Sequence, residues 1–202
     1  MLQFKILIFV LLTSPILIFA QNEQQSDIRR ETGKFAVLSG LHQPIVLKGG
    51  NFAFNYTTRK NLSLEASFGV GLRYDNILSD DELQKYASVQ TPFSYGIGIG
   101  YFYKGFSLNF EPKGTMFRVR DHEGQEIQYT TWSLGAGLYY NVFLWKGLFL
   151  QPSIRYWHKV GSTLPGDEFV LRNAESVPFV HEARKPGSNG WIYGVSVGWY
   201  FK

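Results

Sequence analysis

The strongest constraint on this chain is one layout that recurs along it. In Phe93-Tyr95-Ile97-Ile99-Tyr101-Tyr103 every second residue is large and apolar, with rings at both ends and aliphatics between them. The first alternate positions are Ser94, Gly96, Gly98 and Gly100. Trp132-Leu134-Ala136-Leu138-Tyr140 repeats the layout over Ser133, Gly135, Gly137 and Tyr139. Trp191-Tyr193-Val195-Val197-Trp199-Phe201 repeats it over Ile192, Gly194, Ser196, Gly198 and Tyr200. A strand turns successive side chains to opposite faces, so each segment has one large apolar face and one mostly small or polar face.

Rings bracketing an aliphatic band match the two interfaces of a bilayer. The pattern therefore predicts an all-β, eight-stranded antiparallel up-and-down transmembrane β-barrel. A soluble barrel would hide the large face around a ligand and show water the small one. An eight-strand barrel has an interior just wide enough for its own side chains. It cannot hold all these rings, so the Gly/Ser face points inward. Aromatic content of 17% and 21 glycines fit this reading, with rings for girdles and glycines for a narrow lumen.

The N-terminus reads as a secretory signal over residues 1–20. Lys5 is its lone charge, ahead of an apolar run from Ile6 to Ala20 that is shorter than the roughly 20 residues of a spanning helix. A polar leader, 21–33, precedes the barrel, 34–202. Loss of Lys5 with the signal lowers the net charge from +4 to +3, too small an excess to call for nucleic acid. There is no cysteine, hence no disulfide and no acylated Cys.

Eight alternating segments come after the leader: about Lys34–Leu41, Gly50–Thr57, Leu62–Tyr74, Thr91–Lys104, Phe106–Val119, Gln128–Val142, Leu148–Val160 and Gly190–Lys202. Short connections (Thr58–Asn61, Lys104-Gly105, Leu144–Gly147) alternate with longer ones (Gln43–Gly49, Asp75–Gln90, Arg120–Ile127, Gly161–Asn189). This predicts short periplasmic turns and longer extracellular loops. Pro112 and Pro152 fall inside strands, where a bulge would re-phase the side chains beyond it. With such a bulge, Phe117 and Val119 would suit the lipid face.

Alternation turns Glu65, Arg73, Asn109, Glu111, Lys113, Gln151, Arg155, Phe149 and Trp157 inward. The expected result is a polar network in the lumen, centred on Glu65, Arg73, Glu111, Lys113 and Arg155. Unpaired buried charge costs several kcal/mol, so ion pairs across the lumen are expected. The expected aromatic girdle is Phe93, Tyr95, Tyr101, Tyr103, Trp132, Tyr140, Trp191, Tyr193, Trp199 and Phe201. His42, His122, His158 and His181 fall at the outer end with no metal-ligand spacing, so no metal is expected. Ser79-Asp80-Asp81-Glu82 has the form of a capping box for a short helix in the second outer loop. In the last loop Phe169, Leu171, Arg172, Val177, Phe179 and Arg184 mark a candidate hairpin whose edge could pair with a partner strand.

With its closing strand Gly194-Val195-Ser196-Val197-Gly198-Trp199-Tyr200-Phe201, the chain resembles the small outer-membrane β-barrel family of the OmpX and OmpA-transmembrane-domain type. It looks especially like the PorT-like barrels of Bacteroidota. The likeness covers nearly all of the mature chain, although Lys202 follows the aromatic on which such chains usually end. It implies an outer-membrane location and recognition of the closing strand by the barrel-assembly machinery. Some relatives of this kind are lipid A enzymes. A deacylase of the PagL type carries a His-x-Ser pair; here Val160 stands two places after His158, and Ser162 is beyond that spacing. A PagP-like acyltransferase would begin with an amphipathic helix, and the leader has only Ile28 as an apolar residue.

The resulting expectation is a monomeric, closed, non-enzymatic outer-membrane barrel without cofactors. It would be structural or act through its extracellular loops, in adhesion or envelope integrity. An accessory role in secretion or envelope assembly, exerted through Arg59, Lys60 and Lys146, is the alternative, and a lipid A-modifying enzyme the third. The expected partners are outer-membrane lipid and lipopolysaccharide, the barrel-assembly machinery, and an extracellular or periplasmic protein.

Overall fold

The structure, a computed structural model, describes residues 34–74, 87–164, 168–170, 176–178 and 191–201. The expected signal, the leader and the Ser79–Glu82 capping box lie outside the described residues. The elements are β1 (Lys34–Gly40), α1 (His42–Val46), β2 (Gly50–Thr57), β3 (Leu62–Arg73), β4 (Ser88–Tyr103) and β5 (Phe106–Arg120). They continue with β6 (Glu126–Tyr140), β7 (Val142–Trp145), β8 (Leu148–Ser162), β9 (Glu168–Val170), β10 (Ser176–Pro178) and β11 (Trp191–Phe201). Among the described residues, β1 to β6, β8 and β11 pair antiparallel in sequence order, and β1–β11 and β8–β11 pairing closes an eight-stranded barrel. β7 continues β6 and pairs with β8.

Local chemistry sets the tight turns at one end. Lys104 and Gly105 both take positive φ (49° and 89°), the two-residue turn that matches strand twist. Lys146 and Gly147 do the same (42° and 126°), and Asn61 (63°) closes the turn from Thr58. We call this the turn end. At the opposite loop end, α1 occupies the β1–β2 connection, which the sequence offers only as a loop. Pro44 is tolerated in its first turn, where N–H groups lack helical partners anyway.

Neither Pro112 nor Pro152 shifts a register. Pro112 sits opposite Leu134 in an unbroken β5–β6 ladder. On its other side β4–β5 pairing skips Ile97 and Gly98 and resumes in phase. Pro152 stays in register with Val195. Its missing N–H coincides with the gap at Tyr140 and Asn141 that separates β6 from β7. A proline deletes one donor, and the rest of the ladder holds the phase.

The bulges lie elsewhere. On β4 the register to β5 shifts between Gln90 and Phe93, at Pro92. On β3, Gly71 takes φ +63° and drops out of the pairing with β4. Register shifts also fall on the β6–β8 pair between Trp132 and Ser133 and on the β7–β8 pair between Phe143 and Trp145. β4 gains one residue relative to β5 at Pro92, and β3 stays in phase with β4 across Gly71, so both strands change facing together and every later side chain is turned over. This corrects the assignment of the upper part of β3. Leu72 and Tyr74 are buried inside, and Arg73 is turned to the outer surface. Phe117 and Val119 are likewise inside, at 0% and 1% exposure, because β5 has no bulge.

Candidate functional site in the barrel lumen

The lumen is layered. Nearest the turn end, Phe143, Phe149 and Tyr200 pack together, with Phe149 and Tyr200 ring centroids 4.8 Å apart, against Ala36 and Leu38. Nearest the loop end, Leu47 from beyond α1 joins Leu72, Tyr74, Val89, Phe117, Val119 and Tyr129 in a second apolar cluster. The Phe117 and Tyr129 rings stack at 5.5 Å. Between these clusters lies the polar layer.

Its residues come from neighbouring strands in register. Ala36 faces both Tyr200 and Asn55, Asn55 faces Glu65, and Glu65 faces Gly98. Farther round, Glu111 faces Gly135, and Gly135 faces Trp157. Large and small positions thus alternate around the wall, as a narrow barrel requires. A Cβ on Gly135 would fall inside the Trp157 indole, and one on Gly98 would press on Glu65 and Glu111.

Glu65, Glu111, Lys113 and Arg155 all point into this layer, two acids against two bases. Glu65 accepts a hydrogen bond from Asn55 and feels both the Glu111 and Arg155 charges. The Tyr139 hydroxyl donates to Glu111 Oε1. Lys113 Nζ stands 4.4 Å and Arg155 Cζ 4.8 Å from the Trp157 ring centroid, so both cations interact with the same indole. Arg73, the fifth residue of the expected network, is absent from it because β3 changes facing at Gly71. Tyr139 and Asn141 are additions. Asn141 donates to the Tyr200 hydroxyl (3.1 Å) and accepts from Gln151 (2.9 Å), linking the polar layer to the turn-end cluster. Their signal was strand parity, which places Tyr139 on the Gly135 and Gly137 face.

A cavity of about 40 Å³ remains among Glu65, Ser67, Glu111, Lys113, Arg155 and Trp157. This exceeds the roughly 10–15 Å³ that a buried water needs and falls far below the roughly 300 Å³ of a small-molecule site. Buried Trp157 Nε1, without a protein partner among the described residues, lines it.

The outer wall carries the large residues. Phe93, Tyr95, Trp132, Trp191 and Tyr193 are exposed toward the loop end. Tyr101, Tyr103, Trp199 and Phe201 are exposed toward the turn end, where Tyr140 packs on Phe106 at 4.4 Å. Ile97 (66% exposed) and Leu108 (62%) lie between the two sets. Phe35, Phe68, Trp145 and Tyr156 join these rings, on strands whose alternation is shorter or interrupted.

β9 and β10 pair as a hairpin with Phe169 opposite Val177. Leu171, Arg172, Phe179 and Arg184 lie outside the described residues, as does His181. Among the described residues no three metal-ligating side chains converge. His158 is exposed on the outer wall opposite Leu134, and Ser162 Oγ accepts from the Leu164 N–H (3.0 Å), bound up in a local turn. At the β5–β6 tip, beyond the apolar belt, the Arg120 hydrogen bond holds the Glu126 carboxyl below its ordinary value.

No protein-family model and no curated protein matches the chain. Among solved structures it is similar to a major outer membrane protein from Thermus thermophilus, with a TM-score of 0.50 and 13% identity over 85% of this chain and 100% of that one. It is also similar to the Yersinia pestis outer membrane protein Ail, with a TM-score of 0.44 and 15% identity over 84% and 99%.

Proposed function

We propose that this chain is an integral outer-membrane barrel with a filled lumen, non-enzymatic, serving the envelope as a structural element or through its outer loops. The observation that carries this is the inverted packing. Large apolar side chains cover the outside, while a charge-balanced polar layer between two apolar clusters fills the inside. Bilayer hydrocarbon accommodates such an exterior, and water does not. The fold shared with the Thermus protein supports the same reading. In this orientation the turn end faces the periplasm and the loop end the cell exterior. The β9–β10 hairpin then offers an edge to an extracellular protein, and β11 carries the segment that the assembly machinery would read.

The test is tag accessibility on whole cells, with one epitope in the 161–189 connection and another at Lys60. The expected result is a loop tag cleaved by external protease and a Lys60 tag that is protected. A protein released in soluble form by carbonate, with both tags protected, would overturn the membrane assignment.

A further inference from the structure

On β3 to β6 the outer face changes chemistry within a few residues of the loop end. One register row runs Phe68, Tyr95, Gly114, Trp132, with the Tyr95 ring lying over Gly114. The next runs Val70, Phe93, Met116, Thr130. Past the Gly71 and Pro92 bulges the row becomes Arg73, Gln90, Arg118, Gln128. Arg120 follows on the same face of β5, in register with Ser88 and Glu126.

We infer that Arg73, Arg118 and Arg120 form a binding site for the phosphate of an anionic lipid headgroup. The inference rests on the membrane orientation proposed above and adds a ligand to it. Strands lie about 4.8 Å apart, so Arg73 and Arg118, one strand removed from each other, stand about 10 Å apart at the backbone. Two long side chains span that distance, and Gln90 between them supplies an amide donor. Arg118 Nε lies 3.3 Å from one Glu126 oxygen and Arg120 Nη2 lies 2.8 Å from the other. Each guanidinium has five donors, more than Glu126 can take up, and the two arginine side chains remain 41% and 55% exposed. Three cations against one carboxylate leave the patch positive.

Position selects the headgroup over free phosphate. The row starts directly above exposed Phe93 and Trp132, where acyl chains end and phosphates begin. A change of facing at Gly71 creates the site: had the alternation of β3 continued through it, Arg73 would point into the lumen and Leu72 into the headgroups.

The test uses the full chain refolded into phosphatidylcholine vesicles, with folding read from heat-modifiable gel mobility. Retention of bisphosphorylated lipid A is compared with that of its dephosphorylated form by native mass spectrometry. The expected result is a preference of at least about tenfold for the phosphorylated lipid. A triple Arg73→Gln, Arg118→Gln, Arg120→Gln variant should lose it while remaining folded, and the matching triple Lys variant should keep part of it. An unchanged preference in the folded Gln variant overturns the site. Displacement by equimolar inorganic phosphate overturns the headgroup assignment. Failure of the wild-type chain to insert into vesicles would instead reject the membrane reading itself.

Discussion

The hydroxyl of Tyr139 on β6 donates a hydrogen bond to the carboxylate of Glu111 on β5, inside a layer that also holds Glu65, Lys113 and Arg155. Two acids and two bases in one enclosed layer make a unit in which no member can be removed cheaply.

Glu111→Leu leaves Lys113 and Arg155 facing a single carboxylate, and about 3–5 kcal/mol of destabilisation is expected. Tyr139→Phe removes one donor from a buried acceptor and should cost about 1–3 kcal/mol. In the double variant the acceptor is gone as well, so the losses should be less than additive. Urea unfolding in vesicles checks this. Strict additivity would show that the two residues are not coupled.

Two glycines should fail for different reasons. Gly135→Ala puts a methyl into the Trp157 indole, and overpacking of about 1–3 kcal/mol is expected. A Trp157→Ala change should relieve part of that strain. A Cβ at Gly71 meets nothing within 4 Å, but φ is +63°. Gly71→Ala should still cost about 1–2 kcal/mol, with no neighbouring substitution that rescues it. Unfolding midpoints of the single and paired variants separate crowding from backbone strain.

The two apolar clusters stand in series with the polar layer. Phe149→Ala should lower stability by about 3–5 kcal/mol and leave the barrel electrically silent, because the Phe117 cluster still stands at the other end. Phe117→Ala should behave likewise. Planar-bilayer recording checks this, and stepwise conductance from either single variant would show that one cluster alone closes the lumen.

The fold was legible because strand parity is a long signal. Segments such as Trp132 to Tyr140 show eight or more residues in phase, and no other regular structure has period two. The inward placement of Glu65, Glu111, Lys113 and Arg155 comes from the same count. Arg73 escapes it, since it lies two residues past a bulge. The sequence around Gly71 offers two glycines, at 69 and 71, and nothing local says which one will take positive φ. Pro92 was an equally plain proline to Pro112 and Pro152, yet only at Pro92 does a register change.

By itself, then, the sequence pointed to the all-β class, an antiparallel barrel, its polar inward face and its ring-bordered exterior, because these rest on side-chain type repeated at a fixed spacing. Tertiary structure alone decided where the phase slips, and hence that Leu72, Tyr74 and Phe117 close the loop end while Arg73 and Arg118 line its outer rim. The physical reason is that a bulge is chosen by the pairing of three adjacent strands at once. A local sequence carries only one of them.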